Sequence, residues 1–125
     1  MIKVLIVDDD AKIRNIYRKL LAAEGCYEVL EAGNWEEITG VLLKDKSIDV
    51  ILLDIDMPVV DGTAWFDLIR LYIPHAKVIV ASVYGLEDQK RLIDAADGYF
   101  DKAQGTEALL LKIRNILHIE GSSKR

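Results

Sequence analysis

The feature that most constrains the fold is the stretch from Asp49 to Pro58, with the sequence DVILLDIDMP. Its apolar run, Val50 to Leu53, has an acid on each side and is followed by a Met-Pro pair that favours a turn. Four consecutive β-branched or aliphatic residues are typical of a strand buried on both faces, as in parallel sheets covered by helices. Ligands of such sheets bind beyond the carboxyl ends of the strands. Asp54 is therefore predicted where a core strand meets a crevice.

The remaining chain alternates between strand and helix patterns. Strands are predicted at Val4 to Val7, Tyr27 to Glu31, Val78 to Ala81 and Gly98 to Asp101, besides the central one. Helices are predicted after each strand, the fourth being a short or irregular one within Glu87 to Ala96. Five such β–α units predict an α/β fold with a doubly wound parallel sheet. The flavodoxin-like strand order 2-1-3-4-5 suits this length and has its switch point between strands one and three.

The second helix carries two local signals. Asn34 to Glu37 has the pattern of a capping box, and Trp35 and Ile38 are expected to face the core. Gly40, inside this helix, is expected to cost about 1 kcal/mol relative to alanine.

The length and composition of the chain limit the kinds of function it can have. A chain of 125 residues suits one domain, predicted over residues 1–119, with residues 120–125 as a flexible tail or truncated linker. The net charge of −5 argues against nucleic acid as a direct partner, since a surface that binds nucleic acid needs a stripe of basic residues. No apolar run approaches the ~18 residues of a membrane span, and the chain enters a strand directly, without a signal-peptide pattern. With a single cysteine, Cys26, we expect a cytoplasmic protein.

Five polar side chains are predicted to meet at the carboxyl edge of the sheet: Asp8, Asp9, Asp54, Ser82 and Lys102. Three carboxylates in one crevice repel each other, so they require a cation or raised pKa values. Mg²⁺ fits, since carboxylates together with phosphate oxygens commonly hold it. The lysine and the hydroxyl would complete an anion site on the other rim. This arrangement predicts phosphoryl transfer to or from a carboxylate.

Four segments make the sequence recognisable: VLIVDDD, VILLDIDMPVVDG, VIVASVYG and GYFDK. In this order they resemble the receiver domain of two-component response regulators over roughly residues 2 to 118. The fragment ASVYG and the non-proline residue after Lys102 are most similar to the branch with LuxR-type DNA-binding output domains. The resemblance implies a signalling protein that is phosphorylated by a sensor histidine kinase or a phosphotransfer protein. It also implies no enzymatic activity beyond its own phosphorylation and dephosphorylation.

The resemblance implies a role for each site residue. Asp54 would accept the phosphoryl group, Ser82 would be the switch hydroxyl, and Lys102 would pair with the phosphate. The ligands of Mg²⁺ would be the carboxylates of Asp9 and Asp54, aided by Asp8 and by the backbone carbonyl of Asp56. Tyr99 would change rotamer on activation. A homodimer through the fourth helix, fifth strand and fifth helix is expected when the domain is phosphorylated, because charges of both signs on this surface suit a self-complementary contact. These charges belong to Glu87, Asp88, Lys90, Arg91, Asp101, Lys112 and Arg114. The alternative is a domain that signals as a monomer.

The sequence departs from the family pattern after the lysine. Many members have a cis-proline there, whereas this chain has Ala103, for which we expect a trans peptide bond. The stretch from Ser82 to Lys102 is also about two residues shorter than is usual in the family.

Two alternatives remain open at this stage. One is a pseudo-receiver, a binding module that keeps the fold without phosphorylation. The other is a haloacid-dehalogenase-like phosphatase, in which Asp54 would be the nucleophile and Asp56 the acid/base. In such phosphatases the DxD motif usually lies on the first strand of a larger domain, whereas here it follows the third strand of a small one.

Overall fold

The predicted strands form one parallel five-stranded sheet. The computed structural model describes residues 1–56, 62–83, 85 and 95–118. The strand order is β2-β1-β3-β4-β5, which confirms the predicted topology. The strands are β1 (Ile2–Val7), β2 (Tyr27–Ala32), β3 (Val50–Asp54), β4 (Lys77–Ser82) and β5 (Gly98–Asp101).

Four helices are described around this sheet. They are α1 (Ala11–Ala22), α2 (Trp35–Lys44), α3 (Gly62–Tyr72) and α4 (Thr106–Leu117), and a 3₁₀ turn over Lys102–Gln104 precedes the last of them. The helix predicted within Glu87 to Ala96 lies almost entirely outside the described residues, as does the Met57-Pro58 turn. The C-terminal helix, predicted as the fifth, is therefore α4 here.

Side chains cap the first two helices as their sequences suggest. Asp10 accepts a hydrogen bond from the backbone N–H of Lys12 at the start of α1. Asn34 accepts one from the N–H of Glu37, whose own carboxylate accepts from the N–H of Gly33. These bonds satisfy backbone donors that have no partner within the helix.

The sheet separates two hydrophobic clusters, one on each face. In β1, Leu5 and Val7 pack into one cluster, whereas Val4 and Ile6 pack into the other. The central strand β3 is divided in the same way, and all five of its residues are buried. Because successive side chains of a strand point to opposite faces, a strand covered on both sides must be apolar throughout. This burial holds the carboxyl ends of β1 and β3 in place.

The expectation that Trp35 faces the core is wrong. Its side chain is 49% exposed and lies against Trp65, which is fully buried. Trp35 is the first residue of α2, and its ring packs on that of Trp65 rather than entering the core itself.

Gly40 offers a test of the fold. A Cβ added at Gly40, in the interior of α2, would meet nothing within 4 Å. Gly40→Ala is therefore expected to raise the free energy of unfolding by about 0.5–1 kcal/mol, measured by urea denaturation. Gly25→Ala is the matched control, since a Cβ there is equally uncrowded but the φ of +80° disfavours it. A lower midpoint for Gly40→Ala would contradict this account of α2.

Candidate functional site

The acids predicted to meet do so at the carboxyl edge of the sheet. Asp54 is the last residue of β3, and Asp8 directly follows Val7, which is paired in register with Leu53. Asp8 and Asp54 are only 3% and 4% exposed, whereas Asp9 is exposed. Each of the three offers a carboxylate oxygen, and these oxygens lie within 4.8 Å of one another. Hard oxygen ligands at this spacing fit a divalent cation such as Mg²⁺.

Lys102 projects into this cluster from the end of β5. Its Nζ lies 3.1 Å from Asp8 Oδ2 and 3.1 Å from Asp54 Oδ1. Burial by itself would lower the pKa of Lys102, but the carboxylates of Asp54 and Asp8 outweigh it, so the pKa lies above its ordinary value of 10.5. Lys102 therefore stays charged at neutral pH and partly neutralises the two buried acids.

Burial dominates the ionisation of Asp54. It raises the pKa of this carboxyl to about 6 from its ordinary value of 3.8, and the nearby Asp8 carboxylate acts in the same direction. The backbone N–H of Asp56, 2.8 Å from Asp54 Oδ1, and the ammonium of Lys102 favour the ionised form and offset only part of this. At neutral pH Asp54 is thus an ionised but poorly solvated carboxylate, which a cation or an added positive charge would stabilise.

The loop that carries Lys102 is held without a proline. The Lys102–Ala103 peptide is trans, since the described residues contain no cis bond. Lys102 opens the 3₁₀ turn, and the Asp101 side chain caps it by accepting a hydrogen bond from the N–H of Ala103 at 2.9 Å. The cap and the turn hold the start of this loop, from which the lysine reaches the acids.

Ser82 and Tyr99 lie on the neighbouring strands. Ser82 ends β4, is fully buried, and is paired in register with Asp101. Its hydroxyl donates to the Asp56 carboxylate at 2.7 Å. Tyr99, in β5, is half-buried and packs against the hydrophobic cluster that contains Leu53.

Two contacts at the site could not be predicted from the sequence. The Asp56 carboxylate, which had been considered only as a phosphatase acid/base, accepts from Ser82 and from the N–H of Val83. Arg14, in α1, donates from Nη1 to the backbone carbonyl of Asp8 at 2.5 Å and from Nε to Glu31 at 3.1 Å. Arg14 thus connects the turn at Asp8 to Glu31 in β2. No sequence pattern marks this contact, because it joins α1 to the turn after β1 and to β2.

Comparison with known proteins decides the family. Residues 4–114 match the response regulator receiver domain. The chain belongs to this family. The assignment favours the receiver interpretation over the dehalogenase-like phosphatase, because the acids of β1, unassigned in the phosphatase, belong to the receiver pattern.

Two relatives are transcriptional regulatory proteins. YxdJ of Bacillus subtilis is 31% identical over 116 residues, which cover 92% of this chain and 50% of YxdJ. DegU of Brevibacillus brevis is 35% identical over 116 residues, which cover 90% of this chain and 49% of DegU. The chain therefore spans about half the length of these relatives.

Solved structures agree with the fold. A CheY-like receiver domain protein from Methanospirillum hungatei is 31% identical, with a TM-score of 0.83 and 94% of both chains covered. TrrA from Thermotoga maritima, solved with Mg²⁺ and BeF, is 31% identical, with a TM-score of 0.80 and coverage of 93% of this chain and 99% of TrrA. CheY6 of R. sphaeroides, crystallised with the P1 domain of CheA3, is 26% identical, with a TM-score of 0.77 and coverage of 94% and 97%.

In the part of the chain that the structure describes, no helix has the length and apolar character needed to cross a bilayer.

Proposed function

We propose that this receiver domain accepts a phosphoryl group on the carboxylate of Asp54. The observation that carries the proposal is the position of Lys102 Nζ, 3.1 Å from both Asp54 and Asp8. The exposed Asp9 offers a third carboxylate to the same cluster. A nucleophilic carboxylate, a cation for the transferred group and oxygen ligands for a metal thus occupy one crevice. These are the parts that phosphoryl transfer requires.

The chemistry follows from those positions. An oxygen of Asp54 attacks the phosphorus of a donor, a new O–P bond forms, and the bond to the donor's leaving group breaks. With a phosphohistidine donor, the P–N bond breaks and its electron pair returns to the imidazole. Lys102 neutralises charge on the phosphoryl oxygens, and the hydroxyl of Ser82 donates to one of them. Asp8, Asp9, Asp54 and the backbone carbonyl of Asp56 would hold Mg²⁺, which supplies further charge neutralisation when bound.

Similarity to other receiver proteins supports a proposal for the phosphoryl donor. CheY6 forms a complex with the P1 domain of CheA3, and we propose a sensor histidine kinase or phosphotransfer protein as the donor here. Since two relatives of about twice this length are transcriptional regulatory proteins, we propose that residues 1–119 control a transcriptional output or a partner. Residues 120–125, predicted as a tail or linker, lie outside the described residues. We place this activity in the cytoplasm, where such donors act. Outside its own phosphorylation cycle the domain would not act as an enzyme.

Acetyl phosphate tests the proposed function. Incubation with acetyl phosphate and Mg²⁺ should add one phosphoryl group, seen by intact-mass spectrometry and removed by hydroxylamine, which cleaves acyl phosphates. No mass gain would indicate a pseudo-receiver. Sustained hydrolysis of p-nitrophenyl phosphate would instead indicate a phosphatase.

We also propose that phosphorylation promotes a homodimer through β5, α4 and the segment Glu87 to Ala96. Residues 87–94 of this segment, which carry all of its charges, lie outside the described residues. On α4, Leu111 is 57% exposed, and Lys112 lies beside it. Arg114 already forms an ion pair with Glu24 of its own chain, so it is a weaker candidate for an intermolecular contact than its charge suggests. An exposed leucine next to a charged residue suits a small, salt-sensitive contact.

Sedimentation with Mg²⁺ and beryllofluoride, a mimic of the phosphoryl group, tests the dimer. We expect the mass to double in beryllofluoride and to return toward the monomer in high salt. Leu111→Ala should weaken the dimer, whereas Leu43→Ala on α2, which is 59% exposed, serves as the control. An unchanged mass at saturating beryllofluoride would exclude the dimer but not the phosphoacceptor.

A further inference from the structure

The Asp56 side chain binds the end of the neighbouring strand with both carboxylate oxygens. Asp56 Oδ1 accepts the hydroxyl of Ser82 at 2.7 Å, and Oδ2 accepts the backbone N–H of Val83 at 2.8 Å. These two hydrogen bonds therefore connect Asp56, which follows β3, to Ser82 and Val83 at the end of β4. Hydrogen bonds to an ionised carboxylate are roughly twice as strong as those between neutral groups.

These contacts involve the hydroxyl that the phosphoryl group would need. Ser82 is fully buried and carries a single hydroxyl proton, which it gives to Asp56. A hydroxyl donates to one acceptor at a time. Ser82 therefore cannot donate to a phosphoryl oxygen on Asp54 until it has left Asp56.

Charge acts in the same direction. Asp56 Oδ2 lies 4.0 Å from Lys102 Nζ, and the Asp56 side chain is 19% exposed. An ionised carboxylate at this place repels a phosphoryl group on Asp54 and attracts the lysine that would neutralise it. This repulsion does not pass through Ser82, so an experiment can separate it from the hydrogen bond.

We propose that Asp56 is a latch that holds Ser82 and Val83 in the resting position and opposes their capture by the phosphoryl group. The latch rests on the proposed phosphorylation of Asp54, and it makes Asp56 a positioning residue that acts through Ser82. Its function would be to keep Ser82 and Val83 in place until the full set of phosphoryl contacts can form. Its backbone carbonyl, the proposed metal ligand, is unaffected by changes to the side chain.

A double-mutant cycle tests the latch. The four proteins are the wild type, Asp56→Ala, Ser82→Ala and the double variant, each titrated with beryllofluoride at saturating Mg²⁺ and followed by ¹⁹F NMR. We expect Asp56→Ala to lower the half-saturating concentration about tenfold in the wild-type background, since a charge-assisted hydrogen bond no longer has to be broken. In the Ser82→Ala background the same change should have a clearly smaller effect, which measures the charge repulsion together with the Val83 contact.

The outcomes separate the latch from the proposed function. Equal effects of Asp56→Ala in both backgrounds would overturn the latch, because Asp56 would then not act through Ser82, and would leave charge repulsion and the Val83 contact as its only effects. Unchanged or weaker binding by Asp56→Ala would also overturn it, whereas failure of the wild type to bind beryllofluoride would overturn the proposed function and the latch together. Asp56→Asn keeps the shape and one acceptor oxygen, so it should give a smaller gain than alanine. If the alanine variant does not fold, the same cycle with asparagine decides: coupling to Ser82 supports the latch, and its absence overturns it.

Discussion

Asp54→Asn is expected to abolish phosphoryl uptake from acetyl phosphate, because an amide lacks the nucleophilic carboxylate oxygen that would form the acyl phosphate. The measurement is intact mass after incubation with acetyl phosphate and Mg²⁺. Asp67→Asn, which changes an exposed acid on α3, is the matched control and should be phosphorylated like the wild type. Uptake by Asp54→Asn at the rate of the wild type would contradict the assignment of the site.

The same variant should be more stable than the wild type at neutral pH. The folded-state pKa of Asp54, about 6, lies above the ordinary value of 3.8, so the folded protein binds more protons than the unfolded chain between these values. The neutral form of Asp54 therefore stabilises the folded protein relative to the ionised form. This contribution to the free energy of unfolding is fully present below about pH 4 and is lost as the pH rises through about 6. About two pKa units correspond to at most about 3 kcal/mol, and loss of the Lys102 ion pair in the variant offsets part of this.

Urea unfolding in EDTA at pH 4 and pH 8 measures this effect. We expect Asp54→Asn to exceed the wild type by about 1–3 kcal/mol at pH 8 and to match it near pH 4. A difference that does not change with pH would show that burial of the Asp54 charge is not the cause.

Mg²⁺ should stabilise the wild type strongly, and Asp9→Ala should remove most of that response. The cation would relieve the repulsion among Asp8, Asp9 and Asp54, whose oxygens lie within 4.8 Å of one another. At a Mg²⁺ concentration of 100 Kd, ligand linkage adds about 2.7 kcal/mol. For a domain of this size, that shift raises the melting temperature by roughly 10 °C.

Thermal unfolding with and without Mg²⁺ measures the response. Asp9 is exposed, so its replacement should leave the fold intact while removing one of the three proposed carboxylate ligands. Asp67→Ala removes an exposed acid on α3 that is not one of the proposed ligands, so this variant should keep the full rise in melting temperature on addition of Mg²⁺. Equal shifts in Asp9→Ala and the wild type would rule out Asp9 as a ligand.

The sequence alone determined the sheet and the crevice. The runs before Asp8 and after Asp49 are apolar without interruption, which only strands buried on both faces require. Once the strand order follows from the β–α alternation, the ends of β1 and β3 must be neighbours, and so must Asp8 and Asp54. The trans peptide before Ala103 followed from the high cost of a cis bond without proline.

The tertiary structure alone decided what the side chains around this crevice contact. Asp56 and Ser82 are 26 residues apart, and Arg14 meets a backbone carbonyl, so no local pattern marks either contact. The expectation for Trp35 was wrong for a related reason, since periodicity defines a face of a helix but not how deeply each residue of that face is buried. The spacing of apolar residues along a strand or helix belongs to one segment, so it can be read from the sequence. The rotamer of a polar residue beyond a strand end depends on donors and acceptors brought by other segments, and these meet only in the folded chain.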